Sequence, residues 1–170
     1  MVPKFRAWDE KTIKMWNVET WHIEDEYLDM IESNKNVADL TAERIWRKQS
    51  DIKLMQSTGL KDKNGVEIYE GDVVRVFEYG RYGGTYNAPV SWISYSNEGE
   101  QWAFHGFTCI GVKEIEHHSE VESLFTRGFL TRQFGSCVQL SELTKDPRNS
   151  IKVIGNIYTN PELLEDKYEK

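Results

Sequence analysis

The side chains in this sequence best suited to covalent or metal chemistry are Cys109 and Cys137, together with His105, His117 and His118. Structural zinc is held by thiolates and imidazoles that come in close pairs at both ends of the site. A cysteine nucleophile needs a neighbouring base and an orienting third group. Neither pattern is written here. His105 and Cys109 stand four residues apart in an apolar stretch that reads as a strand, which aims both the same way. A buried cysteine beside a satisfied histidine accounts for them. No catalytic residue, metal ligand or cofactor site is assigned.

Two other constellations concern surfaces. Arg75, Phe77, Tyr79, Arg81, Tyr82 and Tyr86 interleave cations with aromatics beside glycines. That composition suits stacking of single-stranded nucleic acid bases, or docking of a partner; its plainer reading is the second face of a sheet and a glycine turn. Between Met15 and Asn34 there is no Lys or Arg, whereas Glu19, Glu24, Asp25, Glu26, Asp29 and Glu32 supply six acids. Arg44, Arg47, Lys48 and Lys53 then reverse the sign. Opposed blocks of this kind suit internal pairing or a charged partner, and the calcium-loop spacing with its central glycine is absent.

The elements that position these residues read mainly as strands. Lys4 to Val18 alternates apolar and polar residues around a charged turn at Asp9–Thr12, which predicts a hairpin. Ile23, Tyr27, Met30 and Ile31 recur at helical spacing, so a short helix competes with a loop there. Ala38 to Lys48 fits a helical turn or a strand. Asn64-Gly65 is a hairpin signal in which both residues are expected at positive φ. Val73 to Tyr79 follows, with Val74 and Val76 on one face and Arg75, Phe77 and Tyr79 on the other. Pro89 to Val112 reads as a long hairpin turning at Asn97–Gly99, Glu114 to Phe134 as helix or strand, and Ile151 to Tyr158 as a strand. Asn160 caps a short terminal helix with Pro161 at its first position. No repeat, linker or low-complexity tract is legible.

Composition bounds the rest. A chain of 170 residues with 39% hydrophobic and 29% charged residues fits one globular domain, 1–170, around a single core. The net charge of -7 argues against coating nucleic acid through the overall field. Two unpatterned cysteines fit a reducing compartment. No window approaches the roughly 18 continuous apolar residues of a membrane span.

Three blocks then resemble one family: Lys4-Phe-Arg-Ala-Trp-Asp, the segment from Leu54 to Val74, and Val153-Ile-Gly-Asn-Ile-Tyr-Thr-Asn-Pro-Glu-Leu-Leu. Together they are similar to the YopX family of bacteriophage and prophage proteins. The resemblance implies a mostly β domain of phage origin working in the cytoplasm of a bacterial host, and it carries no activity and no site residues. The shared residues are those that turns, caps and packing demand.

The expectation is therefore a mainly β protein, with an antiparallel barrel-like or sandwiched sheet and one or two short peripheral helices. Its first and last strands should lie inside that sheet. The leading function is a non-enzymatic module that binds a host or phage protein, with assembly as a homo-oligomer left open. One alternative is a nucleic-acid-binding small barrel using the Arg75 to Tyr86 strand and loop; another is an enzyme of unrecognised type.

Overall fold

The computed structural model describes residues 4–35, 38–79, 84–96, 103–111 and 136–164. Its elements, in order, are β1 (Phe5–Asp9), β2 (Lys14–His22), β3 (Tyr27–Glu32), β4 (Arg44–Lys48), a 3-10 turn at Gln49–Asp51, β5 (Ile52–Lys61), β6 (Glu67–Tyr69), β7 (Asp72–Glu78), β8 (Gly84–Ser96), β9 (Ala103–Gly111), β10 (Ser136–Gln139), α1 (Leu140–Lys145), β11 (Ser150–Asn156) and a 3-10 turn at Pro161–Leu164. The expected mainly antiparallel β class is borne out, in two sheets ordered β4-β3-β2-β1-β5-β6 and β10-β9-β8-β7-β11. The segment from Glu114 to Phe134 lies outside the described residues. The chain divides into two compact units, Met1–Ser57 and Thr58–Lys170. Among the described residues, the buried apolar side chains gather in two clusters rather than in the one core expected.

In the first unit β1 to β4 form an antiparallel meander, and β5 returns to pair with β1. Ala7, Trp16, Leu28, Met30 and Ile52 make its core. The sheet curls enough for Arg47 on β4 to reach Asp9 on β1 at 2.9 Å, although two strands separate them in the sheet. It stays open, because β4 and β5 do not pair. The segment read as a helix or loop is β3 and its preceding turn. Leu28 and Met30 point into the core at strand spacing, and pairing with β2 and β4 overrides the helical recurrence.

Asp9 is fully buried. Its carboxylate accepts from Arg47 Nε at 2.9 Å, from the Lys11 amide at 3.0 Å and from the Thr12 hydroxyl at 2.9 Å, and Thr12 Oγ1 in turn accepts from Trp16 Nε1 at 3.0 Å. Burial pushes this carboxyl up, but the hydrogen bond from Arg47, those from Lys11 and Thr12, and the guanidinium charge outweigh it, and the pKa lies below its ordinary value.

In the second unit Val74, Val76, Ala88, Val90, Leu140, Leu143, Ile151 and Ile68 form the core. β11 is an edge strand of the second sheet, so the first and last strands belong to different sheets rather than to one. The free side of β11 is met by the turn that follows β5: the Val153 amide donates to Asp62 Oδ2 at 3.1 Å, and the Lys63 amide donates to the Ile151 carbonyl at 2.9 Å. An exposed strand edge invites pairing with another chain, and this turn blunts it.

That turn departs from the two-residue hairpin expected at Asn64-Gly65. Only Gly65 has positive φ, at +82°. The Gly65 amide donates to the Asp62 carbonyl at 3.0 Å and the Asp62 amide to the Val66 carbonyl at 2.8 Å, which makes a three-residue loop with a left-handed glycine at its end. Asp62 selects it by accepting the amides of Asn64 and Val66 on Oδ1, at 2.7 and 2.9 Å. Burial pushes the Asp62 carboxyl up, the Val66, Asn64 and Val153 amides and the Lys152 charge pull it down, and the balance is a lowered pKa. A folded-state pKa below the unfolded one contributes stability that is present above the ordinary carboxylate range and is lost as pH falls through the folded value. We therefore expect Asp62→Asn to be less stable than the parent at neutral pH and to lose less stability on acidification from about pH 5. Urea unfolding at a series of pH values checks this.

The two units share one topology that no sequence self-similarity announces. In each, four strands form a meander, a short helical segment follows the fourth (Gln49–Asp51, and α1), and the fifth strand pairs with the first. Register gives the equivalences. Ala7 pairs with Trp16 and Leu54 as Val74 pairs with Ala88 and Val153, and Asp9 faces Ile52 as Val76 faces Ile151. Met30 stands between Val18 and Ile45 as Cys109 stands between Val90 and Val138. Two residues beyond Ile45 and Val138 come Arg47 and Leu140. The buried Asp9 and the half-buried Arg47 thus occupy the places of Val76 and Leu140.

Candidate functional site

β7 sorts its side chains as the alternation predicts. Val74 and Val76 are fully buried, while Arg75 is exposed and Phe77 and Tyr79 keep 44% and 56% of their surface. Partners distant in sequence complete this outer face. Lys152 on β11 and Asn87 on β8 lie on either side of Arg75 in register, and both Lys152 and Thr85, which is opposite Phe77, are exposed. Arg75 Nε donates to Asn87 Oδ1 at 3.1 Å, which fixes the guanidinium.

Beyond the strand, the Tyr79 amide donates to Asn149 Oδ1 at 2.8 Å, and the Arg148 guanidinium lies 4.3 Å from the centre of the Tyr79 ring. Arg148 is held by Asp146 through two bonds, Nε to Oδ1 at 2.9 Å and Nη2 to Oδ2 at 2.7 Å. Those bonds, with the Arg148 amide, bring the Asp146 carboxyl to about 2. The result is a preset strip of Arg75, Phe77 and Tyr79, flanked by Lys152 and Arg148.

The other end of the same face is roofed. Val73 is fully buried, opposite Pro89 and Gly155, and the Asn87 side-chain amide donates to the Leu163 carbonyl at 3.2 Å. A Cβ at Gly155 would sit 2.6 Å from Leu163 Cδ1 and 2.7 Å from Asn160 Oδ1. Glycine is required there because the 3-10 turn at Pro161–Leu164 lies against the strand. The expected capped terminal helix takes this shorter form.

Arg81 and Tyr82 lie outside the described residues, and Tyr86 stands on β8 opposite Val76. His105 and Cys109 are on β9, and Cys137 on β10 is paired with Ile110, one step out of register from Cys109, which faces Val138. His117 and His118 lie outside the described residues. The acidic and basic blocks meet within one sheet: Glu19 on β2 binds Arg44 on β4 at 3.2 Å across the intervening β3. Reading β7 alone missed Arg148, Lys152 and Asn87, because only strand pairing brings them to the site.

A family model described as YopX protein matches residues 4–165. The chain belongs to the YopX family. The three sequence blocks quoted above fall within that match, and the YopX segment from Leu54 to Val74 holds the Asp62 turn. Next in that segment, Gly71 (φ +76°) donates its amide to the Val90 carbonyl and accepts from the Ile157 amide, at 2.8 and 2.9 Å, and Asp72 Oδ2 accepts the Tyr69 amide at 2.8 Å. The YopX block near the end supplies Gly155 and Asn156, whose Oδ1 accepts the Tyr158 amide at 3.0 Å. These residues hold turns and a sheet edge. No curated protein matches the chain. Among solved structures, the crystal structure of protein EF1440 from Enterococcus faecalis is similar over 97% of this chain and 99% of its own, with 26% identity and a TM-score of 0.48. No helix among the described residues is long and apolar enough to cross a membrane.

Proposed function

We propose that this YopX protein is a non-enzymatic module that binds a partner protein through the outer face of β7 and β11, and that it serves as a phage or prophage accessory protein in the bacterial cytoplasm. The observation that carries the reading is the pair Phe77 and Tyr79, solvent-facing on a strand whose opposite face is fully buried. Exposed aromatics beside arginine are the side chains that dominate protein interfaces, since they bury much area at low conformational cost. The Asn87 and Asp146 contacts hold both arginines in place before binding, which lowers the ordering cost of association.

The nucleic-acid reading rests on the same alternation of cation and aromatic. It is the second choice because Arg148 already lies over the Tyr79 ring, on a surface a base would need for stacking. Affinity capture with the full chain, with and without nuclease, separates the two. Wild-type protein is expected to retain a specific protein after nuclease, and Phe77→Ala/Tyr79→Ala to lose it while melting within about 1 kcal/mol of wild type. Equal capture by both proteins contradicts the reading. Material lost with nuclease favours the nucleic-acid alternative.

A further inference from the structure

The first unit has a second surface, unrelated to the face just described. β2, β3 and β4 line up Thr20, Asp29 and Trp46 in one cross-strand row. That row and its neighbours Glu19, Arg44 and Ile45 line an open groove of about 460 Å³. Trp46 leaves 64% of its surface to solvent, unusual for the largest apolar side chain, and the Asp29 side chain is 46% exposed.

The charges in the groove are not balanced. Arg44 is paired with Glu19 at 3.2 Å, so those two cancel. Asp29 Oδ2 meets His22 Nε2 at 3.0 Å, and His22 stacks on Tyr27 with ring centres 4.1 Å apart and planes 16° from parallel. This contact orients Asp29, and a carboxylate has further acceptor positions beyond the one His22 meets. Glu24, Asp25 and Glu26 form the adjoining turn, and the cation of the next row is Lys48, across from Tyr27.

We propose that this groove binds an arginine side chain from a basic segment of a partner protein, with the guanidinium stacked on the Trp46 indole and forked onto the Asp29 carboxylate. A planar, weakly hydrated guanidinium satisfies an aromatic face and a carboxylate together. An ammonium does so less well, and a quaternary ammonium wants a cage of several rings where this groove has one wall. Because the groove is open, it covers one side of the guanidinium, and neighbouring cations along the same chain add only a screened attraction to the acidic turn.

The test is titration of the full-length protein with acetylated, amidated tetra-arginine, tetra-lysine and tetra-glutamate at low ionic strength, where surface charge is least screened. Tetra-arginine is expected to bind more tightly than tetra-lysine, and tetra-glutamate not at all. Trp46→Ala and Asp29→Asn should each weaken tetra-arginine about tenfold, at unchanged melting temperature. Removing the three charges of the turn (Glu24→Gln, Asp25→Asn, Glu26→Gln) should cost less than about threefold, and Phe77→Ala/Tyr79→Ala should cost nothing. Unchanged affinity in Trp46→Ala overturns the proposal. So does equal binding of the two basic peptides with most affinity lost in the turn variant, which is the signature of a diffuse field.

Discussion

Arg47→Leu alone is expected to destabilise the first unit by about 3–5 kcal/mol, because it leaves the fully buried Asp9 carboxylate without its partner, and Asp9→Val alone by less, because the Arg47 side chain is 22% exposed and reaches water. Asp9→Val with Arg47→Leu should recover most of that loss. The second unit supplies the reason: the same two topological positions hold Val76 and Leu140, both fully buried in its core. Replacement of a buried ion pair by apolar side chains of suitable size is often neutral or stabilising, whereas breaking it is not. Recovery should stop short of complete, since the Lys11 amide and the Thr12 hydroxyl also lose an acceptor. Trp8, Trp16, Trp21 and Trp46 all lie in the first unit, so denaturant unfolding followed by fluorescence reads the cycle. Strictly additive losses, giving a double variant worse than either single one, contradict the equivalence.

Deletion of residues 151–170 is expected to abolish folding of the second unit. It removes all of β11 but Ser150, taking Ile151 from the core and every rung of the ladder to β7 beyond Ser150–Phe77. The 3-10 turn that covers Val73 goes with it, and Asp62 loses the Val153 amide it caps. Losses of this size exceed the roughly 5–15 kcal/mol by which domains are stable. Circular dichroism on heating decides the point: a soluble truncation in which the second unit still melts cooperatively refutes it.

Much of this scaffold was legible in the residues. The first hairpin and the β7 alternation follow from period-two patterning, the terminal strand from its apolar run of Ile and Val, and the β8–β9 pairing from its two long arms. β3 was not legible, since Ile23, Tyr27, Met30 and Ile31 carry a helical period that only pairing with β2 and β4 overrules. The repeat was hidden for a sharper reason. Several equivalent core positions are filled by unlike chemistry, Asp9 against Val76, Arg47 against Leu140 and Trp16 against Ala88, so common topology left few common residues, Ile52 with Ile151 and Val18 with Val90 among them. At the candidate face, Arg75, Phe77 and Tyr79 could be read from one strand. Lys152 and Arg148 could not, because their place depends on which strand pairs with β7. The Trp46 groove was missed likewise: Asp29 looked like one acid among six, and its neighbour Trp46 lies across a strand pair.

We propose the outer face of β7 and β11 as the place where a partner docks. Amide hydrogen exchange of the complex retained after nuclease, compared with the free protein, tests it most directly. Slowed exchange centred on residues 75–79 and 148–152 is the predicted result. Unchanged exchange there, with protection elsewhere on the chain, would contradict it.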